Sequence, residues 1–411
     1  MIEEKTEKDR MNSVLPFDVL LPEKQYLNRW AVIACDQYTS EREYWEDVGR
    51  HVKDAPSALR CILPEALLKN FPEASFFTLA ETMRKYLKED LFCQFPNSYV
   101  YVERELTDGS IREGLVGVID LECYEYRNDK AALIKATEGI VEERIPPRQK
   151  IREVSLLEMS HVILYCDDKE KQLIEPWKAK KEKLEKIYDL SLYPNNSRIR
   201  GWIISGKEAE TLRAGFDSYI RTCDSLPAFC VGDGNHSLVA AKLHYENLKG
   251  NGADPAKIAR ARYAIVEVEN IQSAPQEFKP ICRLLKKVDT EEVRTFLKKR
   301  FAQADGERIE YDEKGSTGTF AVYRDGGIAL KQLQDALDDY LKEHSGEIDY
   351  IHGTDTLKNM AQSANCIGFI APTIGKDNLF SAVSKEGLLP RKAFSVGEAA
   401  DKRYYLETRV L

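Results

Sequence analysis

The chain lacks a long apolar run, because over its 411 residues the apolar stretches extend for only a handful of positions. A membrane-spanning helix needs about 20 apolar residues, so the sequence predicts none. The segment from Met1 to Lys8 is charged and shows no signal peptide. The nine cysteines include no Cys-x-x-Cys pair, which argues against a zinc site or a disulfide framework. We therefore expect a cytoplasmic protein with reduced, mostly buried cysteines.

Positively charged residues are also fewer than negatively charged ones. The 60 Lys and Arg are outnumbered by 68 Asp and Glu, which gives a formal net charge of −8. This balance argues against a broad nucleic-acid-binding face. Hydrophobic residues make up 43% of the chain, enough for a sizeable core. We expect a small-molecule substrate as the partner, with no nucleic acid and no membrane, and leave the oligomeric state open.

Two familiar phosphate-binding motifs are missing. The stretch 201–208 imitates a P-loop, but it ends in Glu208, so the hydroxyl that would bind magnesium is absent. Its Trp-Ile-Ile filling favours a strand instead. Gly232 and Gly234 match the first two glycines of a dinucleotide fingerprint, but Ser237 stands where the third should be. The glycine turn therefore needs another explanation.

Residues 228–242 combine an apolar run, two glycines around Asp233 and a segment of helical periodicity. This order predicts a strand, a tight turn and a helix. The N–H groups at the start of a helix, with the positive end of its dipole, form an anion site. Asp233, Asn235 and His236 add a carboxylate, an amide and a titratable ring to the turn. We interpret the turn as a phosphate site; the alternative is that Asp233 only forms the turn.

Elsewhere the patterns of strands and helices alternate, which favours an α/β fold, or α+β, with a mixed sheet. Lys and Glu spaced by four predict an exposed helix over 169–190. Ser40 followed by Glu43 indicates a capping box at the start of a helix. From 289 to about 343 the pattern is helix, hairpin, helix. The other predicted elements are helices at 76–91 and 207–223 and strands at 31–35, 99–105, 113–120, 161–165, 201–205 and 263–268.

The turn and several other motifs together resemble a known family. The other motifs are Trp30–Ser40, Lys135–Gly139, Arg144–Arg148, Phe278–Leu284, Tyr350–Gly353 and Leu389–Glu398. They resemble the bacterial domain-of-unknown-function family numbered 1015, whose turn reads Asp-Gly-His-His-Arg. That family is distantly similar to the ParB/sulfiredoxin-like superfamily, which includes free-serine kinases.

The resemblance implies a ParB/sulfiredoxin-like core with additional N-terminal and C-terminal α/β elements. We divide the chain accordingly into four segments: an N-terminal α/β region (1–130), the phosphate-binding core (131–288), a small α+β subdomain (289–345) and a C-terminal segment that returns to the core (346–411).

The sequence also departs from the family pattern. Its turn reads Asp-Gly-Asn-His-Ser, so one cation of the family turn is lost at Ser237. Cys282 stands where many relatives have His, and Tyr193–Ser197 replaces a glycine-rich stretch. Each change removes a contact to phosphate or a proton-transfer group, so altered specificity and lost activity are both open.

The remaining candidate residues lie outside the turn. Glu138 aligns with a His-Glu pair of distant relatives, which implies a general base; the alternative is a helix-end carboxylate or a partner of Arg144. Asp36 and Gln37 follow an apolar strand and are candidate substrate contacts. The candidate donor-binding residues outside the turn are basic: Arg144, Arg148, Arg152, Arg391 and Lys392. We place the first three on a stiff loop because of Pro146 and Pro147; a solvated surface loop and tail-anchoring ion pairs are the alternatives.

From these residues we predict a small-molecule phosphotransferase, most concretely a kinase of free serine or a similar small hydroxy compound. The donor is a nucleotide or pyrophosphate. Glu138 accepts the hydroxyl proton, Gly232, Gly234 and the rest of the turn hold the phosphate, and Asp233 is a candidate magnesium ligand. Two alternatives stay open: a ParB-like nucleotide-binding or nucleotide-hydrolysing switch module, and a family member that binds a metabolite without catalysis.

Overall fold

The computed structural model describes residues 13–33, 38, 42–64, 72–128, 132–159, 162–223 and 227–411. These residues form two compact units. The first comprises Met1–Ala136, Ile140–Pro275 and Glu398–Leu411, and the second comprises Thr137–Gly139 and Gln276–Gly397. The second unit thus joins the predicted subdomain to most of the segment that follows it. The division into four segments stays a prediction.

The strands of the described residues are short to medium in length. In chain order they are β1 (Val14–Leu15), β2 (Phe17–Pro22), β3 (Val32–Ile33), β4 (Phe92–Glu105), β5 (Ile111–Asp120), β6 (Tyr124–Glu125), β7 (Ile134–Lys135), β8 (Leu157–Met159), β9 (Ile163–Cys166), β10 (Lys186–Ser191), β11 (Arg198–Ile204), β12 (Phe229–Asp233), β13 (Tyr263–Asn270), β14 (Phe278–Lys286), β15 (Arg308–Glu313), β16 (Ser316–Ala321), β17 (Glu347–His352), β18 (Cys366–Ile370), β19 (Phe394–Val396), β20 (Tyr404–Tyr405) and β21 (Thr408–Val410).

The α-helices alternate with these strands along much of the chain. They are α1 (Leu27–Trp30), α2 (Arg42–Val52), α3 (Ala74–Lys88), α4 (Ile145–Val154), α5 (Glu175–Lys180), α6 (Gly206–Thr222), α7 (Asn235–Gly250), α8 (Pro255–Ala261), α9 (Thr290–Arg300), α10 (Ala329–Glu343), α11 (Thr354–Ala361) and α12 (Leu379–Glu386).

The first unit is built on a 13-stranded sheet whose main path runs β6-β7-β12-β9-β13-β5-β4-β2-β21-β8. β1 pairs with β5, and the β10–β11 hairpin pairs with β4 through β11. The pairs β6–β7, β7–β12 and β9–β13 are parallel, whereas β5 pairs antiparallel with both β4 and β13. The sheet is therefore mixed, and the predicted α/β class with a mixed sheet is confirmed.

The core of the first unit joins distant parts of the chain. Trp30 is fully buried against Tyr86 and Phe92, and its indole N–H donates to the carbonyl of Leu406 at 3.0 Å. The central strand β13 is buried over nearly its whole length between β9 and β5. The C-terminal residues are thus part of the core of this unit.

The second unit is built on a six-stranded antiparallel sheet, ordered β16-β15-β18-β14-β17 with β19 also on β14. The predicted order of helix, hairpin and helix is confirmed as α9, β15–β16 and α10. In α10 the buried residues recur every three or four positions, as an amphipathic helix requires. The Ser40 half of the predicted capping box lies outside the described residues.

The predicted helix over 169–190 is wrong. The chain instead forms the short α5 and then β10, which pairs with β11. Tyr188 and Leu190 alternate with exposed residues, and Tyr188 donates a buried hydrogen bond to Glu407. The Lys and Glu pairs gave a helical signal, but pairing with β11 and burial of alternate side chains decided the local structure.

Candidate functional site

The glycine turn has the predicted form of strand, turn and helix. β12 ends at Asp233, Gly234 adopts a left-handed conformation with φ 79° and ψ 19°, and α7 begins at Asn235. Since α7 is 16 residues long, its N-terminus carries the positive end of a full helix dipole. Gly234 lets the chain reverse between strand and helix without the strain of a side chain at positive φ.

Gly232 is required by packing. A Cβ atom at this position would lie 2.3 Å from Cε2 of Tyr165 on the neighbouring strand. The Tyr165 side chain is fully buried, so it has little room to move. Because Gly232 has no side chain, the Tyr165 ring can pack directly against its backbone.

Asp233 accepts a hydrogen bond from the backbone of the turn and forms an ion pair with a lysine from the C-terminal segment. Its Oδ1 accepts the N–H of Gly234 at 2.8 Å, and its Oδ2 lies 3.1 Å from Nζ of Lys402. A magnesium ion, predicted at Asp233, fits this arrangement poorly, because the carboxylate already faces a cation and Mg²⁺ favours several oxygen ligands. No group of three or more His, Cys, Asp or Glu side chains suited to a metal was found among the residues that the structure describes.

Asn235 and His236 both make contacts within the first unit. Tyr124 donates its hydroxyl to Oδ1 of Asn235 at 2.8 Å, and the asparagine is buried. The backbone N–H of Val141 donates to Nε2 of His236 at 2.9 Å. Since a backbone amide can only donate, Nε2 must be unprotonated, and the proton of the neutral ring sits on Nδ1. Any proton transfer by His236 would therefore use Nδ1.

The basic residues after Glu138 lie on a helix, and the predicted stiff loop is wrong. Arg144 is the N-cap of α4, and both prolines occupy its first turn. Proline is tolerated there because the first N–H groups of a helix have no partner within it. Arg148 and Arg152 therefore lie one turn apart on the same helix.

These two arginines line a cavity of about 120 Å³ within the first unit, together with Ser237 of α7. Most of the remaining lining is apolar, including Met83 and Leu157. Arg148 donates to the carbonyl of Arg144 at 2.9 Å. The cavity thus combines a hydroxyl near a helix N-terminus, a guanidinium and an apolar wall, a mixture typical of small-molecule sites.

Arg152 is engaged in a buried ion-pair network. It donates to Glu158 at 2.8 Å, and Glu158 also accepts from Arg409 at 2.5 Å. Burial opposes the charged form of Glu158, but the two arginines outweigh it and hold the pKa of the carboxyl below its ordinary value. This pairing favours a structural role for Arg152 over direct donor binding.

Three predicted site residues belong to the second unit. Glu138 forms a parallel bridge with Leu389, and its Oε2 accepts the N–H of Ala393 at 3.1 Å. The 389–393 segment carries Arg391 and Lys392, and Lys392 has a left-handed φ of 56°. The structure therefore brings Glu138, Arg391 and Lys392 together around one turn.

Two further groups of the second unit lie beside this turn. Arg391 donates from Nε to the hydroxyl of Tyr350 at 2.6 Å. Arg283 is fully buried and donates to the carbonyl of Arg391 at 3.0 Å. Burial lowers the pKa of Arg283 to about 10, partly offset by Tyr350 and Glu138. Burial also raises the pKa of Cys282, which disfavours it as a nucleophile.

The site residues therefore fall into two groups. The first unit holds the 232–237 turn with Arg144, Arg148 and Arg152, and the second holds Glu138, Arg391 and Lys392. Asp36 and Gln37 lie outside the described residues. Sequence reasoning did not assign Lys402 to the turn, because no local pattern connects it with Asp233. In the parts of the chain that the structure describes, we found no helix long and apolar enough to cross a membrane.

Comparison with known proteins gives a family match. The sequence profile of DUF1015, described as a protein of unknown function, matches residues 14–356. No curated protein matches the chain.

Among the solved structures that are similar to this chain are three with low sequence identity. A conserved hypothetical protein from Pyrococcus furiosus is 12% identical with a TM-score of 0.37, covering 70% of this chain and 92% of that one. SbnI with a C-terminal truncation, from Staphylococcus aureus, is 9% identical with a TM-score of 0.38, covering 70% and 85%. A free serine kinase in complex with AMP is 11% identical with a TM-score of 0.37, covering 69% and 96%. The function must therefore be argued from the site itself.

Proposed function

We propose that this chain, which belongs to the DUF1015 family, is a small-molecule phosphotransferase. It phosphorylates the hydroxyl group of free serine or a similar compound. The observation that carries the proposal is the turn between β12 and α7. There a left-handed glycine precedes the N-terminus of a long helix, and Ser237 of that helix lines a cavity with Arg148. Phosphate oxygens accept hydrogen bonds from helix N–H groups, from hydroxyl groups and from guanidinium groups.

Glu138 is the proposed general base. The N–H of Ala393 donates to its Oε2 and so orients the carboxylate. In the reaction the serine oxygen attacks the terminal phosphorus of the donor, the new O–P bond forms and the bond to the leaving group breaks. The hydroxyl proton goes to Glu138, and the donor leaves shortened by one phosphoryl group. Arg391 and Lys392, on the same turn as Glu138, are the proposed phosphate contacts of the second unit.

The donor is proposed to be a nucleotide or pyrophosphate, bound at the 232–237 turn. Arg144 and Arg148 are its proposed contacts on α4. His236, with Nε2 occupied by Val141, would act as a hydrogen-bond donor from Nδ1. Asp233 has a supporting role, since it bonds the Gly234 N–H and fixes the turn.

A second candidate function is metabolite binding without catalysis. It is favoured by the contacts of Asn235 and His236, which accept hydrogen bonds from Tyr124 and from the Val141 backbone. Side chains held in this way stabilise the turn, and that role would suffice for a binding protein.

Phosphoserine formation tests the proposal. The protein is incubated with serine and magnesium and, in separate reactions, ATP, ADP, CTP or pyrophosphate, and the product is measured by mass spectrometry. We expect product with at least one donor, and Glu138→Gln should lower the rate by about 10²–10⁴-fold while donor affinity is kept, because the amide cannot accept a proton. Glu143→Gln, on an exposed residue of the following segment, is the matched control.

The outcomes separate the candidates. Equal rates for the wild type and Glu138→Gln would remove Glu138 as the base. Tight nucleotide binding with no product from any donor would favour the ParB-like switch module. Binding of serine without any donor would favour the metabolite-binding protein.

A further inference from the structure

Arg283 is a buried cation on the sheet of the second unit. It lies on β14 directly opposite Tyr350 of β17, and none of its surface is exposed. Its guanidinium donates to three neutral acceptors, which are the side-chain oxygen of Gln334 at 3.0 Å and the carbonyls of Ile281 and Arg391. Burying a charged group is unfavourable unless it is paired or well hydrogen-bonded. Since all three acceptors are uncharged, hydrogen-bond geometry rather than an ion pair holds this side chain.

The carbonyl of Arg391 belongs to the turn that also contacts Glu138. Two residues further on, the N–H of Ala393 donates to Oε2 of Glu138 at 3.1 Å. Lys392 stands between them with a φ of 56°, a left-handed conformation that is unfavourable for a residue with a side chain. Such a conformation persists where its surroundings fix it. The hydrogen bonds of Arg283 and Glu138 lie on either side of Lys392 and so hold the turn in this form.

The Arg283 side chain is itself held in one orientation. Gln334 of α10, which accepts from Nε of Arg283, is buried and donates to Oδ1 of Asp338 at 2.9 Å. The guanidinium carbon lies 5.2 Å from the centre of the Tyr350 ring, which is within the range of a cation–π contact. A planar guanidinium with three of its donors fixed has little freedom left. The position of the Arg391 carbonyl is therefore set by β14, β17 and α10 together.

We propose that Arg283 is a positioning residue, which holds the 391–393 turn so that the N–H of Ala393 orients the Glu138 carboxylate. Arg283 does not touch the substrate in this arrangement, because it is fully buried and acts through the turn. This inference rests on the proposed function, since it presumes that Glu138 is the general base. A base works only when it is within hydrogen-bond reach of the proton that it accepts, so the placement of its carboxylate decides the rate.

A double-mutant cycle on the kcat of phosphoserine formation tests the inference. The wild type, Arg283→Met, Glu138→Gln and the double variant are compared at saturating donor, so that donor affinity does not enter. We expect Arg283→Met to lower kcat by about 10-fold to 100-fold, because a small displacement of a catalytic group has an effect of this size. In the Glu138→Gln background the same change should alter kcat by less than about twofold, since no base is left to position. Arg294→Met, which removes an arginine of α9 paired with Glu313 at 2.9 Å, is the matched control and should keep the wild-type kcat.

Hydrogen exchange at the Ala393 amide gives a second measurement, which does not depend on activity. In the wild type this amide donates to Glu138, and the turn that carries it is held by Arg283. We expect the amide to exchange faster in Arg283→Met, because the turn opens more often when one of its two contacts is removed. Exchange in Arg294→Met should equal that of the wild type.

The cycle separates a positioning residue from a merely structural one. Equal losses of kcat in both backgrounds, or an unchanged kcat in Arg283→Met, would overturn the inference while leaving the proposed function standing. If Arg283→Met does not fold, Arg283→Lys takes its place in the same comparison, because a lysine keeps the charge but cannot reach all three acceptors. No product from the wild type with any donor would overturn the proposed function. Exchange at Ala393 would then decide whether Arg283 fixes the turn, with faster exchange in its support and unchanged exchange against it.

Discussion

Replacing Glu269 with glutamine is expected to remove a loss of stability that the wild type shows as the pH rises from 6 to 8. Glu269 lies in β13 with none of its surface exposed. Neither of its carboxylate oxygens accepts a hydrogen bond, although Nε of Arg112 lies 3.0 Å away. Burial raises the pKa of this carboxyl to about 8; Glu267 and Asp233 add to the rise, while Arg112 and Arg403 oppose it.

The magnitude follows from the difference between the folded pKa and the ordinary value of 4.5. Between these two values the folded protein keeps a proton that the unfolded chain has released. The stabilisation is therefore complete below pH 4.5 and is lost as the pH rises through the folded pKa, by about 1.4 kcal/mol for each pH unit. From pH 6 to pH 8 the loss amounts to about 2 kcal/mol. A glutamine is neutral throughout, so the variant does not share this loss.

Urea denaturation at pH 6, 7 and 8 measures the effect. Tryptophan fluorescence is a suitable probe because all four tryptophans belong to the first unit, as Glu269 does: Trp30, Trp45, Trp177 and Trp202. Taking the difference between wild type and variant cancels the contribution of the histidines. Glu210→Gln, on the exposed face of α6, is the control and should follow the wild type. A stability gap between the wild type and Glu269→Gln that stays constant with pH would refute the claim that Glu269 is protonated near neutrality.

Two further predictions concern the glycines of the turn. Gly232→Ala should destabilise the protein by about 1–3 kcal/mol, because the new Cβ would overlap the Tyr165 ring; thermal denaturation measures it, and adding Tyr165→Leu should restore part of the loss. Gly234→Ala should cost about 1–2 kcal/mol, because its φ of 79° is unfavourable for alanine. In urea denaturation, Gly234→Asn should lower the free energy of unfolding by less than Gly234→Ala does. Equal losses for the two variants would contradict the claim that the positive φ of Gly234 decides the effect.

The turn was predictable because its signals are local. An apolar run, two glycines and helical periodicity follow one another in 228–242, and each of them acts within a few residues. The β12–α7 junction has that form. The hairpin between α9 and α10 was predictable for the same reason, since glycines mark the turns on both sides of β16.

Two predictions failed where a local rule was applied without its context. The charged stretch 169–190 has the spacing of a helix, but pairing of β10 with β11 places residues 186–190 in the sheet. Pro146 and Pro147 indicated a loop, but they stand in the first turn of α4, where a missing N–H costs nothing. In both cases the deciding fact was the position of the segment relative to a neighbouring element.

The pairing of Asp233 with Lys402 had no local signal, because the two residues are distant in sequence and meet only in the folded protein. This contact changes the chemistry expected of the turn. A carboxylate with no cation beside it suggests a metal ligand, whereas one that faces a buried lysine suggests a residue that orients that lysine. Tyr124 on Asn235 and Val141 on His236 act in the same direction, since they hold the turn in one conformation. A turn fixed in this way has little entropy left to lose when a ligand binds, which is why we expect its glycines, rather than any single charged side chain, to decide whether it keeps its form.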